Sequence, residues 1–417
     1  MPEVASGYVG LLLIADGLGD RPVPELDGQT PLEAANIPTL DRLAREGECG
    51  LLDPVAPGVR GGSDTSHLSL LGYDPYQVYP GRGPFEAMGI GLEVQPGDVA
   101  FRANFATVDG PMKTILDRRA GRSDLGTREL AAAVDGVQIE DVICRFKEST
   151  VHRAALVLHG PGLGDQVTDP DPHENGLPLL EARPRNPQDA ASAKTARIVN
   201  AFLRLAFERW QHHPVNERRR ALGIPVANLP LPRGPGRSPH LEPFQQKWGL
   251  SAACIVEVGL VKGLGRYLGM EVIEVPGSTA GLDTDTQAIG GAVIEAAGRH
   301  PFVLCNVKGP DVAAHDHNAP GKVAIIEKID AMAAQIVTAL GDRLILAVTG
   351  DHTTACTYGD HTGEPCPILF WGPTVRTDSV QRFGERPCAA GAVGRIRGTD
   401  VLRIMTSYMN VQEKFGA

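Results

Sequence analysis

The chain lacks the features of a disulfide-rich, cysteine–zinc or membrane-spanning protein. Its 417 residues include only seven cysteines, which are scattered, odd in number and never spaced Cys-x-x-Cys. That distribution argues against a disulfide framework and against a zinc site built from thiolates. No apolar run approaches the length of a membrane span. The run 9–15 has no basic flank and ends at Asp16, so we expect no signal peptide and a cytoplasmic protein.

An excess of positive charge is also missing. The formal net charge is −10, which argues against a nucleic acid or an anionic membrane as partner. The glycine-rich stretch 160–164 is followed by Asp165 where a dinucleotide loop needs another glycine, and no Walker pattern is present. No repeat or long low-complexity tract occurs. The hydrophobic share of 42% and the charged share of 22% are those of an ordinary soluble globular protein.

Buried strands alternate with helices in the first and last parts of the chain. Apolar runs predict strands at 9–16, 301–311, 343–351 and 367–371, and helical spacing predicts helices at 38–46, 286–297 and 322–340. This alternation predicts an α/β fold, a mostly parallel sheet sandwiched by helices. The middle has shorter strand-like runs and one helix at 189–209, which predict a smaller inserted α+β domain. The predicted segments are 1–84, 85–249 and 250–417.

Acidic residues follow three of the predicted strands. Asp16, Asp311 and Asp351 stand at the carboxyl ends of their strands, the edge where ligands bind in open parallel sheets. Each one alone is more commonly a turn or cap residue. Three histidines lie near these aspartates in the sequence. His315 follows Asp311 by four residues, a spacing that puts both side chains on the same face of a helix. The other two are His352 and His361.

Ser63 follows two glycines and precedes an apolar run. This pattern predicts a tight turn leading into a helix, with the hydroxyl at the helix N-terminus, where backbone N–H groups favour a phosphate or oxyanion. The alternative interpretation is that Ser63 is simply the helix N-cap. With Ser63 the set reaches seven oxygen or nitrogen ligands, which predicts two divalent ions rather than one. Mixed carboxylate and imidazole ligands suit Mn²⁺, Zn²⁺ or Mg²⁺ and do not separate them.

Arginines cluster at glycine-flanked turns of the predicted insertion. Such side chains bind phosphate or carboxylate groups in a bidentate manner, although most surface arginines only form a solvated basic face. The candidates are Arg118, Arg119, Arg122, Arg153 and Arg233. Beside two metal ions and a serine nucleophile, these arginines indicate phosphoryl transfer.

These motifs together resemble the alkaline phosphatase superfamily, and most closely the archaeal-type cofactor-independent phosphoglycerate mutases. The matching stretches include 14–22, 61–68, 101–107, 117–122, 311–315, 350–352 and 360–363. The resemblance implies an alkaline-phosphatase-like core and an isomerase of glycolysis and gluconeogenesis. Such an enzyme interconverts 3-phosphoglycerate and 2-phosphoglycerate through a phosphoserine at Ser63, without 2,3-bisphosphoglycerate.

The same resemblance assigns the remaining site residues. One ion would be held by Asp16, Ser63, Asp351 and His352, and the other by Asp311, His315 and His361. Manganese is the first candidate, with Zn²⁺, Mg²⁺ and Co²⁺ as alternatives. The expected substrate-binding residues are His67, Arg118, Arg122, Arg153, Arg233 and Lys262. Asp117 is the candidate general acid or base. The partner is a small molecule, phosphoglycerate, and both a monomer and a homo-oligomer stay open.

Two other functions remain open at this stage. A phosphomonoesterase or phosphonate hydrolase of the same superfamily would share the metal centre and differ only in its products. A non-catalytic metal-dependent protein that binds phosphometabolites would keep the ligands but would not need a nucleophile between the ions. A two-metal aminopeptidase is disfavoured because the serine and the arginines would have no role.

Overall fold

The structure is a computed structural model that describes residues 7–238, 241–414 and 416. Its strands, in chain order, are β1 (Val9–Ala15), β2 (Glu48–Asp53), β3 (Val99–Val108), β4 (Ile115–Asp117), β5 (Val137–Ile139), β6 (Val142–Glu148), β7 (Arg153–His159), β8 (Leu229–Arg237), β9 (Ala252–Val256), β10 (Glu271–Val272), β11 (Phe302–Val307), β12 (Leu344–Thr349), β13 (Thr353–Ala355), β14 (Asp360–Thr362), β15 (Cys366–Trp371) and β16 (Gly394–Arg397).

The α-helices are α1 (Pro31–Ala34), α2 (Pro38–Glu46), α3 (Ser63–Leu70), α4 (Pro75–Val78), α5 (Arg82–Gly89), α6 (Thr127–Ala132), α7 (Ala190–Trp210), α8 (Pro214–Ala221), α9 (Phe244–Trp248), α10 (Gly259–Tyr267), α11 (Thr286–Ala297), α12 (Gly309–His315), α13 (Ala319–Leu340), α14 (Glu385–Cys388) and α15 (Gly398–Tyr408). Short 3₁₀ turns occur at Pro24–Leu26, Ala120–Arg122 and Gly341–Arg343. None of the helices in the described residues combines the length and the apolar character needed to cross a bilayer.

The chain divides into two compact units. Unit 1 comprises Met1–Tyr79 and Glu242–Ala417, and unit 2 comprises Pro80–Leu241. Unit 2 is therefore continuous in sequence, whereas unit 1 is assembled from two segments that lie more than 150 residues apart along the chain. The residues predicted to bind metal all belong to unit 1.

Unit 1 is built on an eight-stranded sheet in the order β10-β9-β11-β1-β12-β15-β2-β16. The central strand β1 pairs in parallel with β11 and β12, so the carboxyl ends of these three strands meet at one edge. Each of the three is buried along its whole length, which explains why they appear in sequence as continuous apolar runs.

Helices cover the sheet of unit 1 on both faces. Alternate residues of β1 (Leu11 and Leu13) join a core with α2, α11 and α13, whereas Leu12 and Ile14 are buried towards the opposite face. On that opposite face α15 packs on β12 and α3, and α10 packs on β9 and α3. The predicted α/β sandwich is confirmed. The strand predicted at 367–371 is present as β15, but it runs antiparallel to both of its neighbours, β12 and β2.

Unit 2 contains an antiparallel sheet in the order β4-β3-β7-β6-β5, with β8 also paired to β3. Its core packs α6, α7 and α8 against one face of this sheet around the aromatic side chains Phe105, Phe146, Phe202 and Trp210. The three predicted helices of unit 1 and the long helix of unit 2 are confirmed, with bounds that agree within a few residues.

Candidate active site

Ser63 is the first residue of α3, and the residue at the N-cap is Gly62. The interpretation of Ser63 as the cap is therefore wrong, and its hydroxyl is not used to close the helix. Gly61 is required for close packing, because a Cβ there would lie 2.4 Å from the Ser66 hydroxyl. Ser63 itself is buried, and its Oγ lies 3.3 Å from Nε2 of His352.

Three further predicted ligands lie together on the Ser63 side of His352, and His352 is the one in contact with the Ser63 hydroxyl. Nε2 of His352 lies 3.3 Å from Oδ2 of Asp351 and 3.6 Å from Oδ1 of Asp16. The backbone N–H of Gly17 donates to Oδ1 of Asp351, which fixes that carboxylate. Gly17 has a φ of 66°, and a Cβ there would meet Asp311 at 2.8 Å, so only glycine suits this turn. Asp16 directly follows β1, and Asp351 lies two residues beyond β12.

The second predicted group gathers around Asp311 in the first turn of α12. Nε2 of His315 lies 3.4 Å from Oδ2 of Asp311, as the four-residue helical spacing predicts. Nε2 of His361, on the short strand β14, lies 3.5 Å from Oδ1 of the same carboxylate. The rings of His352 and His361 stack with centroids 3.6 Å apart, so the two groups adjoin.

The three histidines are oriented in the same way. Nδ1 of His315 hydrogen-bonds to the carbonyl of Gly359 at 2.8 Å, and Nδ1 of His361 to the carbonyl of Gly61 at 2.8 Å. Because a carbonyl only accepts, each Nδ1 carries the proton and each Nε2 keeps a free lone pair. Nδ1 of His352 contacts the Thr354 hydroxyl, which donates to Asp311 and so accepts from the imidazole. Three Nε2 lone pairs thus face the carboxylates, as in metal-binding histidines.

Three residues of this centre were not singled out from the sequence. Nζ of Lys308 lies 2.7 Å from Oδ1 of Asp16 and 2.6 Å from Oδ2 of Asp311. The amide of Asn306 donates to Oδ2 of Asp16. Thr354 links Asp311 to His352. Their positions in the sequence could have pointed to them, because Asn306 and Lys308 lie at the end of β11 and Thr354 follows His352 by two residues. Asparagine, lysine and threonine are, however, common at such positions without any functional role.

Negative charge exceeds positive charge at the centre. Burial and the negative charge of the neighbouring Asp351 together raise the pKa of Asp16 to about 8. Burial would lower the pKa of Lys308, but Asp16, Asp311 and Asp351 raise it overall, so the lysine remains charged. One ammonium therefore faces two carboxylates and the Asp16 carboxyl, and burial lowers the pKa of His352 to about 3, which keeps that imidazole neutral.

The donor set fits divalent cations. Oδ2 of Asp351 is buried and accepts no hydrogen bond from the described residues, although a buried carboxylate oxygen without a partner is costly. The groups Asp16–Asp351–His352 and Asp311–His352–His361 each bring ligand atoms within 4.8 Å of one another. Carboxylates and imidazoles without thiolates are ligands for Mn²⁺, Zn²⁺ and related ions. The excess negative charge is of the sign that such cations would neutralise.

His67 lies beneath Ser63 in the interior of unit 1. Its Nδ1 is 2.7 Å from the carbonyl oxygen of Ser63, one turn earlier in α3, and its Nε2 is 3.3 Å from the amide nitrogen of Asn306. Burial lowers the pKa of its imidazole. His67 is fully buried, so in this conformation it supports the helix that carries Ser63.

The predicted substrate residues are divided between the units. Lys262 lies on α10 of unit 1 and pairs with Glu274. In unit 2, burial lowers the pKa of the His152 imidazole, and the positive charges of Arg153, Arg119, Arg122 and Arg233 lower it further. The four guanidinium groups therefore lie around one histidine.

Arg118 and Asp117 have structural partners in unit 2. Arg118 forms a bidentate pair with Asp171, at 2.7 Å from Nε to Oδ1 and 2.5 Å from Nη2 to Oδ2. Both carboxylate oxygens of Asp117 accept backbone N–H groups, from Arg119 at 2.8 Å and from Gly121 at 2.7 Å. These bonds fix the arginine-rich turn that follows β4.

Comparison with known proteins gives a consistent result. The family model described as 2,3-bisphosphoglycerate-independent phosphoglycerate mutase matches residues 44–216. The chain is 50% identical to 2,3-bisphosphoglycerate-independent phosphoglycerate mutase 1 of Methanothermobacter thermautotrophicus, over 98% of this chain and 100% of the relative. It is 46% identical to the mutase 1 of Methanocaldococcus jannaschii, over 98% of both chains.

Solved structures give the same family. The cofactor-independent phosphoglycerate mutase from Thermoplasma acidophilum superposes with a TM-score of 0.77 at 39% identity, covering 96% of this chain and all of that one. A protein from Pyrococcus horikoshii superposes with a TM-score of 0.84 at 37% identity, covering 98% of this chain and 99% of that one. Likeness of this degree over whole chains shows the family as well as the fold. This chain belongs to the 2,3-bisphosphoglycerate-independent phosphoglycerate mutases, which are isomerases.

Proposed function

We propose that this protein interconverts 3-phosphoglycerate and 2-phosphoglycerate through a phosphoserine at Ser63, beside two divalent metal ions. The observation that carries the proposal is the position of the Ser63 hydroxyl, at the first residue of α3 and 3.3 Å from Nε2 of His352, which is grouped with Asp16 and Asp351. A hydroxyl that does not cap its helix and lies beside residues of metal-ligand types supports a nucleophilic role for Ser63. Family membership supports the substrate, because the relatives are named phosphoglycerate mutases.

The proposed ligand sets are those that the family resemblance implies. Asp16, Ser63, Asp351 and His352 would hold one ion, and Asp311, His315 and His361 the other. When bound, the ions supply positive charge that lowers the pKa of the serine hydroxyl and offsets the charge of the phosphoryl group. We take Mn²⁺ as the first candidate, and a cytoplasmic place in glycolysis or gluconeogenesis follows from the reaction.

The proposed reaction has two phosphoryl-transfer steps, both at Ser63. Ser63 Oγ attacks the phosphorus of 3-phosphoglycerate, the bond from phosphorus to O3 breaks, and glycerate is left beside phosphoserine. In the second half, O2 of the same glycerate attacks the phosphorus and Ser63 Oγ leaves. Thr354 and the carbonyl oxygens of Gly359 and Gly61 hold the imidazoles in one tautomer throughout.

The arginines of unit 2 are assigned to glycerate. A guanidinium binds a carboxylate with two parallel hydrogen bonds, which fixes its orientation as well as its position. Arg153 and Arg233, with Arg118 and Arg122, are the residues proposed for this role. Transfer back to glycerate rather than to water requires that water be excluded from the phosphoserine.

Product analysis tests the proposal. Metal-stripped protein is supplied with Mn²⁺ and 3-phosphoglycerate, and 2-phosphoglycerate and free phosphate are assayed in parallel. We expect 2-phosphoglycerate with little phosphate, and loss of both when a chelator is added. Phosphate as the main product would instead identify a phosphomonoesterase. No turnover with any divalent ion would contradict the proposal and favour a binding protein.

A further inference from the structure

Arg219 is a fully buried arginine of unit 2. It is the middle one of three consecutive arginines on α8, and its neighbours Arg218 and Arg220 are exposed. Val215, one turn earlier on the same helix, is buried as well, so Arg219 belongs to the face of α8 that packs into the unit. A buried charge is costly unless its donors are bonded, so a guanidinium in this position needs several acceptors.

The guanidinium of Arg219 donates to four backbone carbonyl oxygens. Nη2 donates to the carbonyl of Ala120 at 2.8 Å and to that of Ser123 at 3.4 Å. Nη1 donates to the carbonyl of Leu125 at 2.5 Å, and Nε donates to that of Pro225 at 2.9 Å. The first three of these acceptors lie in, or directly after, the arginine-rich turn that follows β4. Arg219 therefore joins the backbone of that turn to α8.

The backbone of the arginine-rich turn is strained. Ala120, Gly121 and Arg122 have φ angles of 42°, 71° and 52°, so three consecutive residues adopt the left-handed region. Glycine adopts this region freely, but the side chains of alanine and arginine make it costly. Such a conformation persists only where surrounding contacts enforce it. Arg219 provides one of these contacts, and the Asp117 carboxylate, which accepts two N–H groups of the turn, provides another.

The conformation of the turn decides where two arginine side chains lie. One residue of the turn is buried in the core of unit 2, whereas Arg119 and Arg122 are exposed. Their positive charges, together with those of Arg153 and Arg233, lower the pKa of the His152 imidazole, so the four guanidinium groups lie near one another. Like charges repel, and a turn that was free to relax would move Arg119 and Arg122 away from the other two.

We propose that Arg219 is a positioning residue for phosphoglycerate binding, which holds the strained turn so that Arg119 and Arg122 stay beside Arg153 and Arg233. This inference rests on the proposed mutase function, in which arginines of unit 2 bind the glycerate carboxylate. A cluster that is assembled before the substrate arrives avoids the cost of gathering four like charges during binding. Arg219 thereby contributes to affinity through the backbone of the turn and without contacting the substrate.

The test compares wild type with Arg219→Lys, Gly121→Ala and the control Arg218→Lys, all full-length and loaded with Mn²⁺. A lysine at position 219 keeps the charge but lacks the planar fork that reaches several carbonyls at once. An alanine at position 121 would have to adopt a φ of 71°, and its Cβ would lie 2.7 Å from Cδ of Pro225. Arg218 is the exposed neighbour on α8 and pairs with Glu129, so Arg218→Lys should bind and turn over substrate as wild type does.

Affinity is the quantity expected to change. The Kd for 3-phosphoglycerate is measured by calorimetry in the Ser63→Ala background, where no turnover is expected, and kcat and KM are measured with Ser63 present. We expect Kd and KM to rise by about 10–100-fold in Arg219→Lys and Gly121→Ala, because misplacing a binding group by about 1 Å costs up to about 100-fold. The change in kcat should be smaller than the change in KM.

A second substitution separates positioning from general stability. Adding Ala120→Gly to Arg219→Lys removes the cost of the left-handed φ at position 120, so part of the lost affinity should return. The same substitution deletes a buried methyl group, so thermal unfolding should not recover with the affinity. A role of Arg219 in stability alone would not give this separation.

Wild-type Kd values in both Arg219→Lys and Gly121→Ala would overturn the proposal. So would a loss of affinity that the Ala120→Gly substitution does not reverse, since Arg219 would then only stabilise unit 2. If circular dichroism shows that Arg219→Lys does not fold, a wild-type Kd in Gly121→Ala is sufficient to overturn it. A wild-type protein that binds 3-phosphoglycerate but makes no 2-phosphoglycerate would contradict the mutase function alone, and one that does not bind it would overturn both.

Discussion

The carboxyl groups of Asp16, Asp311 and Asp351 in unit 1 are buried together with Lys308, whereas the arginines on the antiparallel sheet of unit 2 are partly open to solvent. In unit 1 the ends of parallel strands bring Asp16 and Asp351 together, and Lys308 lies between Asp16 and Asp311. In unit 2, cross-strand pairing aligns Arg102 with Arg233. The first arrangement is suited to fixed metal ions, and the second to a substrate that must enter, turn and leave.

The largest effect is expected at the serine of unit 1. Ser63→Ala removes the proposed nucleophile and should reduce mutase turnover by about 10⁶-fold, as loss of a catalytic nucleophile does. Binding of phosphoglycerate, measured by calorimetry, should persist because the arginines of unit 2 are intact. Ser69→Ala is the control, since that buried hydroxyl of α3 has no hydrogen-bond partner among the described residues. Residual turnover above about 1% in Ser63→Ala would rule out the phosphoserine.

The next test compares a buried ion pair of unit 1 with an exposed one of unit 2. Nζ of Lys322 donates to Oδ2 of Asp20 and to the carbonyls of Gly19 and Thr354, and the side chains of Lys322 and Asp20 are fully buried. Lys322→Met would leave Asp20 charged and unpaired, so we expect a loss of about 3–5 kcal/mol in the free energy of unfolding.

The matched exposed pair is Arg145–Asp135 in unit 2, with Nε 2.9 Å from Oδ1. Arg145→Met should cost only about 0–1 kcal/mol, because water and salt screen an exposed pair. Urea unfolding of both variants gives the comparison. Equal losses of stability in the two variants would show that the buried ion pair contributes no more than the exposed one.

A buried acid of unit 1 that lies outside the proposed ligand set, Glu385, should contribute to the pH dependence of stability. Burial raises the pKa of Glu385 to about 7, and its carboxylate accepts from the Thr30 hydroxyl and the Asp20 N–H. Because the folded pKa lies above the unfolded value, this contribution is complete below about pH 4.5 and is lost as the pH rises through about 7. We expect about 3 kcal/mol of pH-dependent stability that Glu385→Gln lacks. Parallel stability curves for the two proteins would contradict this.

A smaller effect is expected at Thr354, whose hydroxyl bonds to two of the proposed metal ligands of unit 1. Thr354→Val keeps the shape of the side chain but removes the hydrogen bonds to Asp311 and His352. Mn²⁺ affinity, measured by calorimetry on metal-free protein, should fall by about 10–100-fold. Thr349→Val is the control, because the Thr349 hydroxyl bonds to the carbonyl of Pro367 and to no proposed ligand. An unchanged Mn²⁺ affinity in Thr354→Val would mean that the Thr354 hydroxyl is not needed to orient His352 and Asp311.

The smallest effect is expected at an arginine on the antiparallel sheet of unit 2. Nε of Arg233 is buried without a hydrogen-bond partner among the described residues. Arg233→Lys keeps the charge but loses the planar donor pair, so kcat/KM should fall by about 10-fold. Arg183→Lys, at an exposed surface position, should change nothing. If Arg233→Lys is as active as wild type, only the positive charge at position 233 matters for substrate recognition.

The two units also differ in how much of them could be predicted from sequence. The ends of parallel strands converge whatever the detail of the sheet, so Asp16, Asp311 and Asp351 could be grouped without coordinates. An antiparallel sheet requires the register, and a shift of one residue would move Arg102 to the other face. For that reason Arg102 was not identified from the sequence, although Arg153 and Arg233 were.

Within unit 1, the supporting residues were missed because their types carry no special signal. A lysine after a strand is commonly solvated, yet Lys308 is largely buried between two carboxylates. The direction of β15 was missed for a related reason: a buried run has the same composition whether its strand is parallel or antiparallel to its neighbours.

The seven cysteines give this protein its own means of reporting local opening. All seven thiols are buried, six of them in unit 1 and only Cys144, on β6, in unit 2. A buried thiol reacts with an alkylating reagent only when the surrounding structure opens. Mass spectrometry of timed alkylation would therefore follow the opening of each unit separately, without introducing a label. Added phosphoglycerate should slow modification of Cys144 if unit 2 holds the substrate, and added Mn²⁺ should protect Cys356 and Cys366, which follow the proposed ligands Asp351 and His352 in sequence.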